Sequence, residues 1–252
     1  MEPLRVEKGA IARVVIQRPE VRNALNTETL RGLRDAFRQL ALADEVRVIR
    51  LESAGDRAFC AGADLGEVAA AKGLAERRRY FQGVAEVVTA MVKAPQPIVA
   101  VVQGHALAGG MGLVAAADFV VASKDARFGL PEVDLGLFPM VVMAPLLRVL
   151  PRRILWEMIF LGRRLSAEEA AAYGLIHRAV APEELDQAAG EVAAALAEKS
   201  PAALALGKSA LWTVESLSLW ESLEPLKDWS ALLAGTPEAQ EAIGRFLAKG
   251  RS

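Results

Sequence analysis

Along the chain, short runs of β-branched residues alternate with longer stretches in which apolar positions recur every three or four residues. Leu4 to Val6 and IARVVIQ at 11–17 predict the two strands of a hairpin, turned at Lys8-Gly9. Pro19 disfavours further strand, and Asn26-Thr27 caps a helix in which Leu30, Leu33, Phe37 and Leu40 share one face, ending near Leu42. VRVIRLE at 46–52 alternates as a half-buried strand, and Ser53-Ala54-Gly55-Asp56 closes it as a turn. A long helix over 76–92 is stopped by Pro95 and Pro97. From Arg152 onward helical periods dominate, interrupted by a short strand at 176–180; four helices are expected over 182–198, 201–214, 217–233 and 237–249. Strand, strand, helix recurs at uneven spacing through the first two thirds. That pattern predicts an α/β chain wound as a spiral of ββα units, followed by a helical C-terminal section.

One stretch departs from both periods. IVAVVQGHALAGGMGL, Ile98 to Leu113, is a buried strand that breaks at Gln103-Gly104-His105 and continues as small residues, read as a loop of bare backbone. Backbone N–H groups inside a core need partners, so an anion, an oxyanion or a closely packed helix is expected against them. Ile98 to Ala117 also carries no formal charge over about the 20 residues a bilayer requires. Gln103, His105, four glycines and the lack of a basic flank favour a buried core over a membrane span.

Composition narrows the partners. The 252 residues suit a single α/β domain with a helical appendage, and 53% hydrophobic residues supply a large core. With 30 basic and 31 acidic residues the net charge is −1, which leaves no electrostatic footprint for nucleic acid. Cys60 stands alone, which excludes an intramolecular disulfide or a cysteine-cluster metal site, and MEPLRVEKGA has no signal-peptide pattern; a cytoplasmic protein is expected.

Several chemical signals are weak on their own. Gly110-Met111-Gly112-Leu113-Val114-Ala115 matches the dinucleotide fingerprint, with Glu132 at the expected distance. The preceding strand, placed as ending near Val102, lies too far upstream for the tight turn that such a site needs. His105 and His177 are isolated, so neither a hydrolase triad nor a zinc site is expected; His177 reads as structural and His105 as a candidate site-lining residue. Nothing near Cys60 would depress its pKa, and packing is its plain role. Trp212, Trp220 and Trp229 read as core or subunit contacts.

In combination the motifs are more specific. AFCAGADL at 58–65, QGHALAGGMGL at 103–113, FGLPEV at 128–133, and Arg18-Pro19 with Asn23-Ala24-Leu25-Asn26 resemble the crotonase family of enoyl-CoA hydratases and isomerases, over about residues 4–249. The resemblance implies a crotonase-like spiral core over 1–195 and a helical region over 196–252 that serves oligomerisation and site closure, in a homotrimer or dimer of trimers. It implies an acyl-CoA thioester substrate, with coenzyme A arriving as part of that substrate, no permanently bound cofactor and no metal. Backbone N–H groups of Ala63 and Gly109 would form the oxyanion hole, each contributing about 3 kcal/mol to the transition state. Glu132, in a strongly apolar stretch, would be the acid/base. Arg22 would lie near the CoA phosphates, with a solvated surface charge as the alternative. Ala24, Leu25, Ala61, Asp64 and Leu65 would surround the nucleotide and pantetheine arm, and Gly110 and Pro131 would also contact substrate.

The chain departs from the hydratase pattern at one position. Hydratases carry a second glutamate three residues after the oxyanion-hole glycine, where this chain has Gly112. One carboxylate suffices to move a proton from the α- to the γ-carbon, so isomerisation is favoured over hydration. Asp134 and Glu67 are candidate replacements, Asp134 being expected on the face of Glu132 if the segment is a strand. A non-catalytic acyl-CoA-binding or scaffold member is the alternative from another functional class; some relatives bind RNA, against which the neutral charge counts.

Overall fold

The computed structural model describes residues 2–249. β1 (Leu4–Glu7) turns back antiparallel onto β2 (Ile11–Ile16). The side chain of Asn26 accepts from the Thr29 N–H and starts α1 (Thr27–Leu40), whose buried stripe is Leu30, Leu33, Ala36, Phe37 and Leu40. Burying each Leu or Phe of such a stripe is worth about 1.5–3 kcal/mol. β3 (Val48–Ser53) pairs parallel with β2, and β4 (Ala58–Cys60) then leaves for a second sheet. α2 (Leu65–Ala70) and α3 (Leu74–Lys93) follow, with α3 packed across α1.

The uncharged run is divided into pieces. β5 (Ile98–Val102) returns to the first sheet beside β3, β6 (His105–Leu107) pairs parallel with β4, and α4 (Gly109–Ala116) starts two residues later. The small-residue segment is therefore strand and helix, not an open loop. β7 (Phe119–Ser123) and β8 (Arg127–Gly129) repeat the alternation, one strand to each sheet. After a 3₁₀ turn at Pro131–Leu135 come α5 (Met140–Val149), α6 (Arg152–Phe160), β9 (Leu165–Ser166) antiparallel to β8, and α7 (Ala167–Ala172). β10 (Arg178–Val180) closes the first sheet against β7. α8 (Leu185–Ala197), α9 (Pro201–Val214), α10 (Leu219–Ala234) and α11 (Pro237–Lys249) complete the chain.

The two sheets have orders β1-β2-β3-β5-β7-β10 and β4-β6-β8-β9, the spiral of ββα units that the repeating pattern predicts. β5 reads as unbroken hydrophobic sequence because both of its faces are covered. Ile98, Ala100 and Val102 enter the main core, while Val99 and Val101 join the clusters that pack on α8. Among the described residues no helix is long and apolar enough to cross a membrane.

The last three helices touch this core at few points. Lys208 on α9 reaches into it: its Nζ donates to Asp118 Oδ2 at 2.6 Å, Met91 O at 3.0 Å and Gln96 O at 3.2 Å. Trp212 and Trp229 are half-buried and Trp220 is 77% exposed, so none of the three is a core residue. Residues 250–252 of the expected C-terminal region lie outside the described residues.

Candidate active site

A cavity of about 810 Å³ opens between the starts of α2 and α4 on one side and α3, the 3₁₀ turn and the start of α5 on the other. Two of its walls are backbone. In the first, Leu25 and Ala63 form an isolated parallel bridge, with Leu25 N–H donating to Gly62 O at 2.8 Å and Asp64 N–H donating to Leu25 O at 3.0 Å. In a parallel bridge the central residue's own N–H points away from its partner. The Ala63 N–H therefore faces away from Leu25, and Ala63 lines the cavity. In the second wall, Gly109 is the first residue of α4, where backbone N–H groups lack intrahelical acceptors.

Two backbone features hold these walls together, and neither was singled out in the sequence. Gly62 has φ +95°, and a Cβ there would stand 2.5 Å from the Ala108 Cβ and 3.0 Å from the Gly109 nitrogen. Ala108 has φ +49°, an uncommon conformation for a residue with a side chain, and its N–H donates to Gly129 O at 2.9 Å. That strain turns the chain straight from β6 into α4. The single signal for it in sequence is the concentration of small residues at 61–63 and 108–110.

Among the described residues, Glu132 is the one acidic residue lining the cavity. Its Oε2 is buried without a hydrogen-bond partner among the described residues. Desolvation by the surrounding apolar walls raises its pKa, and a bond from its own backbone N–H offsets part of that rise. Both candidate replacements for a second carboxylate lie elsewhere. The turn at 131–135 is 3₁₀ rather than strand, so Asp134 does not share the face of Glu132; it is exposed, with its carboxylate toward Gly162. Glu67 accepts from the Thr27 N–H at 2.8 Å and hydroxyl at 2.7 Å, outside the cavity.

Gly112 is closed over by a neighbour. A Cβ built there would stand 2.5 Å from Val142 Cγ1 and 3.0 Å from Val142 Cβ, so α5 fits against α4 because position 112 has no side chain. Val142 also lines the cavity. Gly110 is buried in the same way: a Cβ there would run into the Cys60 carbonyl. These glycines serve close packing, the Cβ direction of each being filled by a neighbour. β6 does end only two residues before α4, so the dinucleotide reading fails on this packing and not on a distant strand.

Of the other residues read from sequence, Leu25, Ala61, Leu65 and Pro131 line the cavity; Arg22, Ala24, Asp64 and Gly110 do not. Arg22 has φ +56°, an exposed side chain, and a carbonyl that accepts from the Ala61 N–H at 3.0 Å. Ala24 is buried, and its carbonyl accepts from Arg18 Nη1. The Asp64 carboxylate is taken by Arg18 and by the Gly66 N–H at the start of α2. His105 is exposed outside the cavity, because β6 turns Ala106 inward; burial and the charges of Arg127, Arg164 and Arg22 lower its pKa. His177 is structural, its Nδ1 accepting from the Val120 N–H at 3.1 Å. Cys60 is buried, and desolvation pushes its thiol up to about 12. Among the described residues no group of three or more His, Cys, Asp or Glu is placed to hold a metal ion.

Comparison with known proteins bears on the family and the fold. A family model described as enoyl-CoA hydratase/isomerase matches residues 6–251. The mitochondrial enoyl-CoA hydratase domain-containing protein 3 of Rattus norvegicus is 36% identical over 206 residues, covering 82% of this chain and 68% of that protein. A carnitinyl-CoA dehydratase of Salmonella arizonae is 34% identical over 233 residues, covering 91% of this chain and 87% of its own. The crystal structure of an enoyl-CoA hydratase from Mycobacterium smegmatis superposes with a TM-score of 0.96 at 31% identity, covering 99% and 97% of the two chains.

Proposed function

The chain belongs to the enoyl-CoA hydratase/isomerase family, and on that footing we propose that it moves a double bond within an acyl-CoA thioester, using Glu132 as the single acid/base. The Glu132 carboxylate takes the α-proton of a 3-enoyl-CoA. The electron pair spreads over the dienolate, and the thioester oxygen receives its charge between the Ala63 and Gly109 N–H groups. The same carboxyl group returns the proton to the γ-carbon, which leaves a 2-enoyl-CoA. Nothing enters or leaves except the substrate, so no permanently bound cofactor is needed.

The observation that carries this reading is the closure of Val142 over Gly112, beside a single buried carboxylate with a free oxygen. Hydration needs a water held and deprotonated on one face and a proton delivered on the other, work that two carboxylates divide. Here an apolar side chain fills the place from which a second one would act. In the bound complex, Leu25, Ala61, Leu65 and Pro131 flank the thioester and pantetheine arm, and exposed Arg22 is available to the CoA phosphates. Residues 196–252 serve assembly into a homotrimer or a dimer of trimers; the exposed Leu219, Trp220, Leu223 and Leu232 on α10 favour a covered face.

Assay of the purified protein with matched 3-enoyl- and 2-enoyl-CoA tests the proposal. Isomerisation is expected to exceed hydration by at least about tenfold in kcat/KM. Faster hydration would overturn it, and tight binding of both thioesters without turnover would make the chain an acyl-CoA-binding protein.

A further inference from the structure

Tyr80 on α3 touches the oxyanion-hole segment from behind, outside the cavity lining. Its hydroxyl donates to Leu25 O at 2.5 Å and accepts from the Asp64 N–H at 3.2 Å, so it sits on the backbone bond that joins those two residues. Tyr80 is 6% exposed, and burial raises the phenol pKa, which keeps it a donor across the working pH range. On the other side of the same segment, Arg18 Nη1 donates to Ala24 O at 2.5 Å, while both Nη atoms reach Asp64 Oδ2 at 3.1 Å. Asp64 Oδ1 accepts from the Gly66 N–H at 3.1 Å and ties the segment to the start of α2.

Residues 24–25 and 62–64 are thus stapled twice, and between the staples lies Ala63, a cavity-lining residue whose N–H points away from Leu25. We infer that Tyr80, assisted by Arg18 and Asp64, is a positioning residue that fixes the direction of the Ala63 N–H toward the developing oxyanion. The inference rests on the enolate chemistry proposed above. It gives Asp64 a role in aiming the hole in place of one as a ligand of coenzyme A. Removing the Tyr80 hydroxyl leaves the Leu25 and Asp64 backbone groups bonded to each other at 3.0 Å, so the variant keeps its pairing and loses only its aim. Small misplacements of this kind reduce the rate more than the binding.

Tyr80→Phe and Arg18→Lys are compared with wild type for kcat and KM on a 3-enoyl-CoA, for Tm, and for affinity toward two probes of equal chain length. One probe is a saturated acyl-CoA, which carries no oxyanion; the other is a 3-oxoacyl-CoA, whose enolate places negative charge on the thioester oxygen. Tyr80→Phe is expected to lower kcat about tenfold with KM within about twofold. It should weaken the 3-oxoacyl-CoA by a similar factor and leave the saturated acyl-CoA unchanged, while Arg18→Lys should retain more of kcat. An unchanged kcat, or equal weakening of both probes, would overturn the positioning role. If wild type turns over no enoyl thioester, the proposed reaction fails, and the ratio of the two affinities still decides the clamp: it stands if Tyr80→Phe erases a wild-type preference for the 3-oxoacyl probe, and falls if the preference persists or is absent.

Discussion

A carboxylate with one oxygen buried and unpartnered is expensive to ionise, and Glu132 is held in that condition inside an apolar cavity. Its burial has two consequences of opposite kind. As the base of the proposed reaction it must be ionised, so kcat/KM is expected to rise with pH along an acid limb centred above the ordinary glutamate value of about 4.3. As a buried acid whose folded pKa is raised, it retains a proton where the unfolded chain has lost it, so its contribution to stability falls as pH increases through that window. Glu132→Gln is therefore predicted to lower kcat by about 10²- to 10⁴-fold. It should also melt above wild type near pH 8, with the gap closing toward about pH 4. Loss of activity with no change in the pH dependence of Tm would mean that the carboxylate is solvated. Glu132 was readable in sequence because FGLPEVDLGLF is strongly apolar apart from Glu132 and Asp134, and the motif at 128–133 points to the first of the two. Tyr80 was not, since its importance comes from where α3 crosses the segment at 62–64, a tertiary fact without a local pattern.

At the scale of elements, the boundaries announced by caps and breakers were legible. Asn26 starts α1, Ser200-Pro201 starts α9 and Pro237 starts α11 at the positions their chemistry predicts. β6 was not, because three residues are too few for alternation to register, and the turn into α4 depends on positive φ at Ala108, which sequence favours for glycine or asparagine instead. The fit of α5 on α4 was equally hidden, since Val142 and Gly112 are 30 residues apart in an apolar background. That fit can be tested. Gly112→Glu alone is expected to strain the helix pair and lower Tm, at about 1–3 kcal/mol for overpacking. Val142→Gly combined with Gly112→Glu should recover most of that loss and gain measurable hydration of 2-enoyl-CoA. Equal stability of the single and double variants would show that the two positions do not interact.

Across the whole molecule, the C-terminal helices are tied to the core by a buried charge. Lys208 on α9 and Asp118 before β7 are both shifted toward neutrality, chiefly by desolvation: the lysine pKa is lowered and the aspartate pKa raised. Asp118 also accepts from the Ile98 N–H at 2.8 Å, where β5 begins, so one carboxylate joins the appendage to the central strand. Removing one partner of such a pair costs about 3–5 kcal/mol, because the other charge is left buried. Lys208→Met is predicted to lose stability on that order in urea titration at pH 7, and to regain part of it on acidification as Asp118 takes up a proton. A loss below about 1 kcal/mol would place the pair at a solvated surface. The crotonase-like resemblance named the helical region, whereas this lysine lay unremarked among the alanines and leucines of α9.

The two-sheet winding also bears on how activity returns after denaturation. The backbone arms at Ala63 and Gly109 come from successive turns of the spiral and meet only when β6 docks on β4, more than forty positions downstream. Contacts that distant in sequence form late and slowly. Recovery of turnover during refolding should therefore lag behind recovery of helical signal, and a nascent chain released before β6 has emerged cannot bring Ala63 and Gly109 together, however much of its first sheet has formed.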